Sequence, residues 1–103
     1  MPKMHMQAAR EKNRKKYDFD IGKVKTWDFK GIDSMSLEYH TLYGGVERIV
    51  EDKYDRVLIV DQGMATNLEN KQIIREGYVI EIPAGTTFHL KGQLKYYLIK
   101  QHR

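Results

Sequence analysis

From Val24 onward the chain alternates polar and apolar positions in short runs rich in β-branched and aromatic residues, broken by Gly, Asp and Asn. That pattern marks strands joined by turns. VKTWDF, SMSLEYHTLY, ERIVE, RVLIV, MATNL, QIIR, YVIEI, TFHL and LKYYLIK read as strands, and their even spacing predicts an all-β sandwich or barrel. Residues 57–60 are continuously apolar, which in a strand implies cover on both faces. A partner subunit would supply the second cover, as would a folded-back N-terminal segment bearing Trp27 and Phe29. Pro83 ends the YVIEI run; having no N–H to donate, it belongs at a strand end or edge. Gly85 permits a tight turn before TFHL. Helix formers gather only in QAAREKNRKK, which has no apolar stripe to dock. A lone turn or two there is marginal in water, so the expectation is a flexible or short helical tail.

With 103 residues there is room for one core, divided as a basic N-terminal extension over 1–20 and a barrel domain over 21–103. The net charge of +4 resides in the extension: residues 1–16 carry six bases against Glu11, and the remaining residues sum to −1. A short basic tail of this kind reads as a solvated extension, with nucleic-acid contact as the alternative. Cysteine is absent, which removes disulfides, thiolate metal sites and thiol nucleophiles. No apolar run approaches the roughly 18 residues of a membrane span, and residues 1–9 lack the apolar stretch of a secretion signal. The expected setting is the cytoplasm, with no membrane contact. There is no glycine-rich phosphate loop, nucleophile elbow or HExxH pattern.

GYVIEIPAGTTFHLKG follows the spacing G-x5-P-x-G-x2-H-x3-N, with Gly77, Pro83 and Gly85 on its structural positions, Phe88 where a histidine belongs and Gly92 in place of the asparagine. Upstream, Gly44 and Gly63 satisfy both ends of G-x5-H-x-H-x3-E-x6-G, with Val50 and Asp52 at its histidine positions and Arg56 at its glutamate. Residues 44–92 thus resemble the two motifs of the cupin superfamily, with the spacer glycines kept and the ligand positions replaced. The resemblance implies a cupin-type double-stranded β-helix, or jelly-roll barrel. It also implies that Val50, Asp52, Arg56 and Phe88 meet where such barrels hold an ion, commonly through three histidines and a glutamate. A valine, one carboxylate, a guanidinium and a phenyl ring are no donor set for a divalent ion, so neither a metal nor another cofactor is expected.

Alternation directs Arg56, Leu58 and Val60 into the barrel, with Phe88 and Leu90 on the strand opposite. Arg56 then either clamps a carboxylate or phosphate or pairs internally with Asp52, Asp55 or Glu47. Of Tyr96 and Tyr97, which straddle a strand, one lines the cavity. The candidate ligand-binding residues are Asp52, Arg56, Phe88, Tyr39 and Tyr97; no catalytic residue is assigned. His5, His40, His89 and His102 read as surface or dimer contacts, since alternation separates His40 from Tyr39 and His89 from Phe88. The leading expectation is a metal-free, homodimeric cupin that binds a small organic ligand, anions included, or a partner protein without transforming it. A second is an enzyme similar to the metal-independent sugar-nucleotide epimerases and isomerases, which use a histidine base and a tyrosine acid inside the barrel. A third is a dimerisation module presenting its basic tail to nucleic acid or an acidic partner, since IPAGTTF and YYLIKQ resemble the metal-free dimerising cupin of inner-kinetochore proteins.

Overall fold

The computed structural model describes residues 4, 6–27, 29, 32, 34–50 and 53–101, and every helix or strand element among them is a strand. In chain order these are β1 (Arg10–Lys16), β2 (Phe19–Trp27), β3 (Met35–Leu42), β4 (Val46–Ile49), β5 (Arg56–Asn67), β6 (Ile73–Arg75), β7 (Val79–Ile82) and β8 (Phe88–Gln101). All pairings are antiparallel. They run β1-β2-β3-β8-β5-β6, with β4 also on β8 and β7 also on β5. β5 and β8 are long enough to serve two layers. The first half of β5 pairs with β7 and its second half with β6; the start of β8 pairs with β4 and its remainder with β3. The result is a double-stranded β-helix, a jelly-roll barrel.

RVLIV and MATNL therefore fuse into β5, and TFHL and LKYYLIK into β8. The residues between them, which read as turn signals, bend the strands instead. The β5–β8 register shifts between Val60 and Gln62, a bulge that inverts the inward phase: Arg56, Leu58 and Val60 are buried before it and Ala65 after it. Beside the bulge the two backbones close on each other at Gly63 and Gly92, where an added Cβ would strike the carbonyl oxygens of Gln93 and Met64. Leu58, Leu90, Leu94 and Tyr96 form the fully buried centre, with Ile49, Val60, Ala65, Ile74, Ile82 and Phe88 around it. The inward placement of Arg56, Leu58, Val60, Phe88 and Leu90 matches the alternation read from the sequence. The P-x-G segment closes a turn through Thr86 N donating to Pro83 O at 3.2 Å.

The N-terminal reading requires correction. Residues 10–16 are neither helical nor a free arm but the strand β1, hydrogen-bonded to β2 throughout. Tyr17 and Asp18, with φ of 56° and 49°, make the two-residue primed turn that suits the twist of a hairpin. A backbone ladder outweighs the marginal local helix propensity, and the lysines on this edge strand discourage further pairing. The boundary between residues 20 and 21 falls inside β2, so extension and barrel share one sheet. The N-terminal segment does not lie over β5 either. Register places Trp27, Leu37, Ile99 and Val57 in one row across the outer face, beside one another rather than stacked.

Candidate functional site

Paired residues of antiparallel strands point to the same face, so the register assembles an inward row of Val24, His40, Tyr96 and Val60. The His40 ring stacks almost parallel on Tyr96, with centroids 5.0 Å apart and 6° between planes. Its Nε2 lies 2.8 Å from Glu38 Oε1. A carboxylate accepts, so Nε2 carries the proton and, in the neutral ring, Nδ1 carries the lone pair. Nδ1 is buried without a hydrogen-bond partner among the described residues. Tyr96 is 1% exposed, and burial, followed by the neighbouring Glu47 carboxylate, raises its phenol above the ordinary 10, which keeps the hydroxyl protonated. Glu47, itself buried, accepts from both terminal nitrogens of Arg14, Nη2 at 2.9 Å. Arg14 thereby reaches from β1 across the barrel to β4.

Arg56 opens β5 and is 3% exposed. Its Nη1 donates to the Val50 carbonyl and its Nη2 to the Thr86 carbonyl at 2.7 Å, while Nε is buried with no partner among the described residues. Among the described residues, Arg56 forms no ion pair with Asp55 or Glu47. Glu47 is held by Arg14, and the Asp55 carboxylate accepts from Ala84 N at 2.9 Å. Asp52 lies outside the described residues, as do His5 and His102. Among the described residues, then, this buried guanidinium leans on neutral carbonyls, with no carboxylate paired to it that would offset its desolvation. Between these groups is a cavity of about 250 Å³ lined by Arg14, His40, Glu47, Arg48, Arg56, Tyr96 and Lys100, with Ile49, Val50 and Leu98 as its apolar wall. Among the described lining residues, four cations against one carboxylate make it a place for negative charge.

At the ligand positions of a metal-holding cupin, the described residues offer the Val50 carbonyl, a guanidinium and a phenyl ring, and the carbonyl is already bonded to Arg56. No group of three or more His, Asp, Glu or Cys side chains that could hold a metal ion occurs among the described residues. This donor set does not fit a divalent cation. Val50 and Arg56 meet as expected. Phe88 stands nearby, since its neighbour across the ladder is Ile49, but it packs into the core rather than lining the cavity.

The other two ligand candidates lie outside the barrel. Tyr39 and Tyr97 face each other on the outer side of the sheet, with rings 4.7 Å apart and edge-on. Tyr39 donates to Asp61 at 2.6 Å, and burial together with that carboxylate pushes its phenol up to about 12. The cavity tyrosine is Tyr96. His40, read as a surface or dimer contact, is likewise an inner-face residue. The sequence reading compared neighbours along one strand, where alternation separates His40 from Tyr39; the partner that matters is across the ladder on β8. The i, i+2 spacing of Glu38 and His40 was a usable signal for a same-face dyad, whereas nothing in the sequence marked Arg14 for Glu47. His89 does face outward, its Nδ1 2.7 Å from Glu69.

The Glu38–His40 contact carries a pH signature. The hydrogen bond from His40 holds the Glu38 carboxyl below its ordinary 4.5, so the contact stabilises the fold above that pH and is lost as the pH falls through the lower folded value. Glu38 is 40% exposed, and solvent screening keeps the effect small. Thermal melts of Glu38→Gln against the parent are expected to show the variant less stable at pH 6 and the gap narrowing as the pH falls below the ordinary carboxylate value of 4.5. A constant gap across that range would mean that the contact does not titrate.

No protein-family model matches this sequence, and no curated protein does. Solved structures do match. A cupin-2 domain protein of Rhodospirillum rubrum superposes with a TM-score of 0.68 at 10% identity, covering 98% of this chain and 74% of that one. A cupin 2 conserved barrel domain protein of Rhodopseudomonas palustris gives 0.68 at 11%, covering 92% and 72%. The polyketide cyclase RemF of Streptomyces resistomycificus gives 0.72 at 11%, covering 100% and 80%. Among the described residues, no helix is long and apolar enough to cross a membrane. Two layers sharing the long strands β5 and β8, glycines where those strands bend, and the likeness to these barrels establish that the chain has the cupin fold.

Proposed function

We propose that the barrel is a metal-free receptor for a small organic anion. The observation that carries this reading is Arg56: a guanidinium buried inside a cationic cavity, with two donors on neutral carbonyls and a third, Nε, without a partner among the described residues. An anion in the cavity supplies the counter-charge that the described residues around Arg56 do not. At about 250 Å³ the space falls below the roughly 300 Å³ at which pockets for drug-sized ligands begin, so the ligand is small. A thermal-shift panel of organic acids and sugar phosphates, run beside neutral alcohols of equal size, is expected to raise the melting temperature with at least one anion and with none of the alcohols. A flat response to every anion would refute the proposal.

The second reading, acid–base catalysis on the bound anion, is favoured by a separate observation. His40 lines the cavity beside Tyr96, oriented by Glu38, with its second nitrogen buried and without a partner among the described residues, and Tyr96 holds its proton. A base held by a carboxylate next to a neutral phenol is the equipment for removing and returning a proton. Incubating the protein with a binding anion in heavy water and following deuterium entry at carbon by mass spectrometry decides between the readings. Incorporation that disappears in Tyr96→Phe supports catalysis, and none at all leaves binding alone.

A further inference from the structure

Residues 57–60 are continuously apolar, but only Leu58 and Val60 point into the core. Val57 and Ile59 lie on the outer face of the sheet that β2, β3, β8, β5 and β7 form together. Register assembles two apolar rows there: Trp27, Leu37, Ile99 and Val57, then Tyr39, Tyr97, Ile59 and Val79. Met35, one step further along β3, extends the same face. Tyr97 is 36% exposed, Met35 39% and Val79 58%. Polar side chains bound the patch. Lys25, paired with Glu11, stands on its β2 side and Glu81 on its β7 side, and the next row is Lys23, Thr41, Lys95 and Gln62. An aromatic centre with a methionine, set inside a polar rim, is the make-up of a protein interface.

We propose that this face docks a second copy of the chain. A twisted sheet packs well against another of the same twist, about 10 Å away and with the strands nearly aligned, and the apolar centre carries no charge for a partner of opposite sign to match. The area agrees. From β2 to β7 there are four strand spacings, about 19 Å, and the apolar rows with their side chains occupy about 20 Å along the strands, so each copy offers about 400 Å² of apolar face. Two such faces with their rims reach the roughly 1,000 Å² at which a specific interface begins. That size implies a reversible dimer dissociating in the micromolar range. The cavity opens on the inner face of this sheet, so the proposal is independent of anion binding.

Trp27 is the chain's one tryptophan and reports on the contact directly. Sedimentation velocity of the full chain over a dilution series is expected to show the mass falling from twice 12.2 kDa to 12.2 kDa, with the Trp27 emission shifting to the red over the same range as water reaches the ring. Val79→Lys and Tyr97→Lys each place an unpaired charge in the contact and are expected to weaken the dimer at least about tenfold. Val79 is the more exposed of the two, so its variant keeps the fold whatever becomes of the Tyr39–Tyr97 ring pair. A chain that stays monomeric up to about 1 mM would overturn the proposal. So would a dimer that Val79→Lys leaves at parental strength, or one whose dissociation leaves the Trp27 emission unmoved, since its interface would lie elsewhere.

Discussion

Replacing Gly92 with alanine is expected to lower the melting temperature by about 15 °C. The new Cβ would sit 2.5 Å from the Met64 carbonyl oxygen and 2.8 Å from Ala65 Cα, and both belong to backbone, which cannot rotate away. The residue also has a φ of 150°, where an L side chain is strained. Relief requires β5 and β8 to separate where they bend together from one layer to the other, which costs about 3 kcal/mol, and a domain of this size loses roughly 4–8 °C per kcal/mol. Gly45→Ala provides the comparison. Its φ of 88° is also positive, but its Cβ meets nothing within 4 Å, so only backbone strain of about 1 kcal/mol applies. Melts followed by circular dichroism should therefore rank Gly92→Ala well below Gly45→Ala. Equal losses would assign the effect to φ and remove the close approach of the strands as the structural requirement.

Arg56→Met should separate stability from binding. The apolar side chain approximates the volume and relieves a buried charge, but it strips the Val50 and Thr86 carbonyls of a charged donor. Both residues are exposed to solvent, so water can replace that donor and the net cost to folding is about 1 kcal/mol. Anion affinity has no such substitute. Losing a charged hydrogen bond in a buried site costs about 2–3 kcal/mol, or roughly 30- to 150-fold, measurable by calorimetry with whichever acid shifts the parent's melting temperature. A variant that binds as tightly as the parent would show that Arg56 braces the barrel and takes no part in recognition.

How much of this was legible beforehand depended on range. Alternation sufficed to send Arg56, Leu58, Val60, Phe88 and Leu90 inward, because period-two burial is a property of one strand. Motif spacing singled out Gly63, one of the two glycines at the bends, whereas Gly92 stood where the family pattern has an asparagine. It also indicated that the ion-binding positions had lost their donors, since side-chain chemistry needs no coordinates. β1 was hidden because its residues have no apolar face; what orders it is a ladder to β2, the ion pairs of Glu11 with Lys23 and Lys25, and the pairing of Arg14 with a residue 33 positions away. Tyr39 and Tyr97 were attractive as candidates because tyrosines suit pockets, yet which of two adjacent tyrosines faces in is decided by strand phase.

The amino-acid sequence by itself determined that this is an all-β barrel carrying the cupin pattern's spacer glycines and a guanidinium, not a carboxylate, at position 56. Each of those follows from local periodicity or residue chemistry. Only the tertiary structure decided that His40 lies on Tyr96, and that Arg14 takes Glu47 and so leaves Arg56 without a carboxylate among the described residues. These are contacts across the ladder between residues tens of positions apart, and cross-strand register, which no single strand encodes, brings them together.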